Sequence, residues 1–332
     1  MKPPSKLAFA ALLLFAAGSR AASVDPALPR YEPRAIEISR DASYVTPEGA
    51  VAVVGYNDMR EIMEALVARF SAAHPEVRFT LDLRGTRFAP AALAAGASAF
   101  APMGAELTPE QLAEYRAKTD SDPIGFRVAH ASLDARALSG PLAVLVHRDN
   151  PLRSITLEQA ARVFAGEATR WGELGLEGEW AAQPVKAYGL SAGTALAYAF
   201  RDAAMGLRGF GPQVTGLPQS AEVAQKVGAE PLAIGFAAAM RATPQARVLS
   251  ISARAGAEPV APTEESIVAG RYPLDRHLLV FAARPLNPIA REFLRLFLSR
   301  EGQEAVAASP QGYLPLSAKD AAAERRRLES AE

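Results

Sequence analysis

The sequence predicts an α/β fold built from alternating strands and helices with mainly parallel sheets. Three features predict it. Short apolar runs of strand length recur along the chain. Amphipathic stretches of helical period follow most of them. Several of these stretches open on a capping signature. The length of 332 residues suits about two domains.

Residues 50–56, AVAVVGY, form a continuous apolar run suited to a buried strand. The following MREIMEALVARFSAAHP carries Ile62, Leu66, Val67 and Phe70 at helical spacing and is closed by Pro75. VRFTLDLRG alternates and reads as the next strand, and APAALAAG as a helix ended by Gly96. In TPEQLAEYRAK, Thr108 is the N-cap, Pro109 the first helical residue and Gln111 the third, a capping box. GPLAVLVHRDNP is a strand running into a turn. TLEQAARVFAG repeats the capped-helix pattern with Thr156, Gln159 and a Gly166 stop. QPVKAYG, PLAIGFAAA, RVLSIS and HLLVFAA read as strands, and PIAREFLRLFLSREGQEAVAA as one long amphipathic helix. The polar tail after Ser317 is helix-prone.

Composition narrows the function. Lys plus Arg and Asp plus Glu are 36 each, so no basic excess points to nucleic acid. The chain has no cysteine, which removes disulfides, thiolate metal sites and cysteine nucleophiles. Residues 1–21 read as a cleaved secretory signal: Lys2 and Lys6 precede a short apolar core, and small residues follow it. Its removal takes three cations and no acid, leaving a net charge of about −3. The expected location is the periplasm, in soluble form. No histidine pair has helical metal-site spacing and no nucleotide loop is present, so no metal and no cofactor are expected.

One segment points two ways. Gly189-Leu-Ser-Ala-Gly193 fits G-x-S-x-G, the strained turn of a serine nucleophile. The only histidine after Ser191 is His277, at the start of an apolar strand, and no HGGG-type oxyanion segment precedes the serine. A lysine partner, Lys186 or Lys226, keeps a serine hydrolase as an alternative. The same segment also reads as a small-residue loop feeding a helix N-terminus, where unpaired N–H groups hold an anion.

The motifs of residues 147–175, HRDNPLRSITLEQAARVFAGEATRWGELG, together with LAIGFAA, YPLDRHLLVFA and FLRLFLSREGQEAVAASPQGYLPLS, resemble the phosphate-binding proteins of bacterial ABC importers. The resemblance is scattered over roughly residues 51–317 and keeps its motifs in order. It implies a type II periplasmic-binding-protein fold, two α/β lobes with a ligand cleft at the hinge. It also implies capture of a small oxyanion, phosphate first, for an ABC transporter, without catalysis, by a monomer. A sensor or adhesion module on the same fold, with altered or lost ligand binding, is the alternative within this reading. The implied division is an arm over residues 22–47, linker-like or loosely packed, lobe I over 48–140 plus 272–317, lobe II over 141–271 and a tail over 318–332.

The resemblance carries over four loops. The first is Tyr56, Asn57 and Asp58 after Gly55, where the family has a small hydroxyl residue. The second is Arg84, Gly85, Thr86 and Arg87. The third, Pro102-Met103-Gly104, lacks the family's serine with its charged neighbour. The fourth is Tyr188, Ser191, Ala192, Gly193 and Thr194, where the family has R-x-x-x-S-G-T. Tyr188 stands in the arginine's place and Ala192 in the serine's. Arg84 or Arg87 is the expected replacement for the missing positive charge.

Overall fold

The computed structural model describes residues 23–331. The expected signal segment, 1–21, lies outside them. Among the described residues no helix is long and apolar enough to cross a membrane.

The chain first lays down β1 (Ala50–Val54), α1 (Arg60–Ala73), β2 (Arg78–Asp82), α2 (Ala89–Ala94), β3 (Ala101–Met103), α3 (Pro109–Thr119) and β4 (Ile124–His130). It crosses into β5 (Leu142–His147), β6 (Ser154–Thr156), α4 (Leu157–Ala165), β7 (Lys186–Leu190), α5 (Ala195–Met205), β8 (Thr215–Leu217), α6 (Ser220–Ala229), β9 (Ala233–Ala238), β10 (Ala246–Val248), β11 (Ser250–Ser252) and α7 (Glu264–Val268). It then returns as β12 (His277–Ala282), α8 (Pro288–Phe297), α9 (Arg300–Ala307) and α10 (Ala318–Ser330).

Two large cores follow from this path, with a smaller cluster of Ala89, Leu93, Ala101, Met103, Tyr115 and Leu279 beside the first. In one, Phe70, Phe100, Phe293 and Phe297 pack with Ile62, Leu66 and Val280. In the other, Phe164, Phe200 and Phe236 pack with Trp171, Val144 and Ile234. Phe200 and Phe236 stack at 4.0 Å, and Phe164 meets both edge-on.

The chain passes between the cores twice, and the two passages are bonded to each other. Ala131 N–H donates to Arg276 O (2.8 Å), Leu142 N–H to Leu274 O (2.9 Å) and the Tyr272 hydroxyl to Leu142 O (2.8 Å). The crossing also sets strand direction. The sheet of the second core runs β10-β5-β9-β7-β8, in which the entering strand β5 is antiparallel to both neighbours while β7 is parallel to β8 and β9. In the first core the returning β12 lies antiparallel between β3 and β4, beside a parallel β1–β2 pair. A strand that brings the chain in, or takes it back, runs against strands joined by helical crossovers.

Local signals hold where the chemistry is local. Thr108 and Thr156 form complete capping boxes, and Gly166 ends α4 at φ +85°. Three readings change. The long helix after Asn287 breaks at Ser299, whose side chain caps α9 by accepting from Gly302 N–H. RVLSIS splits into β10 and β11, which join different sheets. The arm, read as linker-like or loose, is held: Tyr31 N–H donates to Glu301 (2.7 Å), its hydroxyl to Glu292 (2.8 Å), and Arg300 N–H to Pro29 O (2.8 Å). The tail helix α10 is anchored too. Arg327 donates to Gly125 O (2.9 Å), Arg295 grips Glu329 through both carboxylate oxygens (2.8 and 2.9 Å), and Leu328 is buried.

Candidate functional site

Three loops of the first core are knitted into one unit. A short 3-10 turn at Asn57–Met59 runs into α1, and another at Thr86–Phe88 runs into α2. Gly85 N–H donates to Gly55 O (2.9 Å), Tyr56 N–H to Pro102 O (2.9 Å), and Gly104 N–H to Thr86 Oγ1 (3.2 Å). Gly85 sits at φ +136°, a conformation that needs glycine. The first N–H groups of both helical segments therefore lie on adjoining loops, with no intrahelical partner. Asn57 and Arg87 are exposed, and Gly85 and Thr86 half-buried.

The loop of the second core starts from β7. Gly189 is buried because the Phe236 ring lies against it; a Cβ there would fall 2.3 Å from the ring. Ser191 N–H donates to Leu217 O (2.9 Å) and Thr194 N–H to Ser191 O (2.9 Å), closing the turn. Thr194 caps α5 by accepting from Ala197 N–H (3.2 Å). Ala192 and Gly193 are exposed at the tip. Among the described residues no histidine or lysine hydrogen-bonds the Ser191 hydroxyl, and Lys186 instead pairs with Glu230 (3.0 Å).

Several expected ligand residues are committed elsewhere. Asp58 is buried, and its Oδ2 accepts from Leu138 N–H (2.9 Å) and from the Tyr313 hydroxyl. The Tyr56 ring is buried against Gly104. Arg84 forms a two-pronged pair with Asp82 at 2.6 Å for each bond. Tyr188 does not act as a free donor in place of arginine: its hydroxyl donates to Glu230 (2.8 Å). That leaves Arg87 as the cation of these loops without a carboxylate partner among the described residues; its guanidinium lies 4.6 Å from the Phe88 ring centre. No hydrogen bond among the described residues joins loop 188–194 to loops 55–58 or 84–87.

The Tyr188–Glu230 contact is pH-dependent. Hydrogen bonds from Tyr188, then Lys186, hold the Glu230 carboxyl below its ordinary value of about 4.5, and burial, then Glu230, raises the Tyr188 phenol to about 12. A lowered folded-state carboxyl stabilises fully above pH 4.5 and loses that contribution as pH falls through the folded value. Thermal melts from pH 7 to pH 3 should therefore show Tyr188→Phe less stable than the parent at neutral pH, with the gap narrowing below about pH 4.5.

Beside the crossing strands lies a cavity of about 890 Å³ that none of these loop residues lines. α5 contributes Ala199 and Asp202 to it, and the first core contributes Glu106, Arg127 and Arg276. Arg276 is buried and donates to Gly104 O (3.3 Å) and Glu106 (3.0 Å), tying the third loop to the hinge. His130, Asp275 and His277 also line the cavity. Sequence spacing does not show this trio, because His130 and His277 meet only as direct cross-strand partners of β4 and β12. Their ring centres are 4.9 Å apart, and His130 Nδ1 lies 2.7 Å from Asp275 Oδ2.

Two cores, two bonded crossings and ligand-type loops at helix starts define a periplasmic-binding-protein chain. The family model described as a PBP superfamily domain matches residues 42–301. Phosphate-binding protein PstS of Pseudomonas aeruginosa is 31% identical over 330 residues, spanning 95% of this chain and 96% of that protein. An ABC-type phosphate transport receptor from Vibrio cholerae has a TM-score of 0.55 at 18% identity, covering 80% of this chain and 99% of its own. PstS from Borrelia burgdorferi has a TM-score of 0.55 at 18% identity, covering 81% and 99%. The chain belongs to the PBP superfamily and, within it, to the family of phosphate-binding protein PstS.

Proposed function

We propose that this chain captures a small oxyanion, phosphate first, and delivers it to an ABC importer from the periplasm as a monomer, without catalysis. The observation that carries the reading is the likeness to phosphate-binding protein PstS over nearly the whole of both chains. The proposed lobes are residues 48–140 with 272–317, and 141–271; most buried residues of each part fall in one of the two cores, while Tyr272, Leu274 and Leu314 pack with the second. On this reading the ligand lies between the first-turn N–H groups at Asn57 and Thr86 on one side and the Thr194-capped start of α5 on the other. Arg87 supplies the charge that Tyr188 does not. The Ser191 hydroxyl, without a hydrogen-bond partner or a neighbouring base among the described residues, acts as a donor.

Calorimetric titration with phosphate, sulfate and molybdate tests the proposal; the expected result is one site per chain with preference for phosphate, and no heat from any of the three would overturn it. Arg87→Gln should weaken phosphate binding by about 1.5 kcal/mol, roughly tenfold, while Arg84→Gln changes it little. Ser191→Ala should cost about 1 kcal/mol of binding. If that variant instead abolishes an esterase activity of the parent, the hydrolase reading replaces this one.

A further inference from the structure

We propose that His130, Asp275 and His277 form a binding site for one divalent transition-metal ion, zinc being the fitting probe. The three residues come together at the second crossing. Cross-strand pairing of β4 and β12 sets the two imidazoles side by side. Asp275 reaches between them, with Oδ2 2.7 Å from His130 Nδ1 and 3.6 Å from His277 Nε2. One potential ligand atom from each residue lies within 4.8 Å of the other two. Tetrahedral zinc bonded at about 2.0–2.2 Å separates its donors by roughly 3.3 Å. Small side-chain adjustments therefore close the set around an ion. Two imidazoles and a carboxylate suit zinc, cobalt or nickel rather than magnesium or calcium.

A second observation is independent of that proximity. His130 is 2% exposed, and its Nε2 is buried with no hydrogen-bond partner. Buried ring nitrogens are normally satisfied, so this one calls for a partner. The carboxylate is already oriented, because Asp275 Oδ1 accepts from Arg276 N–H (2.7 Å). The cavity of about 890 Å³ beside the trio gives an entry path and room for a water as fourth ligand.

Charge permits the ion. Arg276 faces the trio but is paired with Glu106 at 3.0 Å, and Arg327 is paired with Glu324 across the cavity. Arg127 opposes a cation from β4, while Asp202 of α5 and Asp320 of α10 face the same space and offset it.

The test uses the full chain, stripped with chelator and titrated calorimetrically with zinc, and separately with cobalt followed by visible absorption. The expected result is one ion per chain, with a cobalt spectrum of a four-coordinate nitrogen–oxygen site. His130→Gln/His277→Gln should weaken zinc binding by roughly 100-fold, and Asp275→Asn by at least about tenfold. Binding of less than one equivalent, or an undiminished affinity in the variants, overturns the proposal. Circular dichroism confirms folding. If the double variant fails to fold, His277→Gln alone, at the partly exposed start of β12, decides on the same criterion. Neither result depends on whether phosphate binds.

Discussion

Asp58→Ala should lower the unfolding free energy by about 3–4 kcal/mol, with a correspondingly lower urea midpoint. The carboxylate joins three parts of the first core: the start of α1, the Leu138 N–H on the first crossing, and the Tyr313 hydroxyl near the C-terminal segment. Tyr313 is 1% exposed, so no water replaces the lost acceptor. Burial, then the neighbouring Tyr56 and Asp58, pushes the Tyr313 phenol far above its ordinary range, so it stays a donor at all physiological pH. Alanine would leave the buried Tyr313 hydroxyl and the part-buried Leu138 N–H unmet, the first at the full cost of about 1–3 kcal/mol. Asp58→Asn keeps an acceptor oxygen and should cost less, about 1–2 kcal/mol. Unfolding curves of both variants beside phosphate titrations separate the roles. If Asp58→Ala keeps its stability and loses only phosphate affinity, the carboxylate faces the ligand and the buried assignment is wrong.

Gly104→Ser should cost about 3 kcal/mol, and the cost should largely disappear when Tyr56 is changed to Ser in the same chain. A Cβ at position 104 would lie 2.2 Å from Tyr56 Cε1 and 2.5 Å from its Cζ. The ring cannot swing clear easily, because it is buried in the first core. The two positions are therefore coupled: a large ring at 56 requires the absence of a side chain at 104. The coupling links two departures from the pattern that the resemblance implies: Tyr56 where a small hydroxyl residue is expected in the first loop, and no serine in the third. The double variant restores both hydroxyls, and its phosphate affinity should exceed that of the parent by roughly tenfold. Chemical denaturation and calorimetry of the two single variants and the double variant complete the cycle. Additive stability losses would show that the ring and the glycine are not coupled.

Much of the architecture is legible in the sequence because its causes are local. Thr108 with Gln111 and Thr156 with Gln159 form their capping boxes within four residues, so the chain needs nothing distant to start those helices. Gly166 ends α4 because a left-handed residue is required there. The break at Ser299 is harder to read. The apolar period continues through it, and only the crowding of Gly302 against Leu296 O, where a Cβ would lie 2.2 Å away, shows why the second segment must turn. The G-x-S-x-G pattern is equivocal for a related reason. Its first glycine answers to the Phe236 ring, packed from a strand 47 residues away, and not to the serine.

What the sequence alone determined is the class of protein: strand–helix alternation, capped helices and ordered family motifs, all signals carried by neighbouring residues. Which side chains remain available depends on contacts made across the fold. Asp58, Arg84 and Tyr188 lie in loops that look like a binding site, yet each is already bonded, to Leu138 and Tyr313, to Asp82, and to Glu230. His130 and His277 carry no spacing signal, yet strand pairing makes them neighbours. The physical reason is common to both. A polar group is free or committed according to what approaches it across the fold, and that distance is set by strand register and core packing rather than by position along the chain.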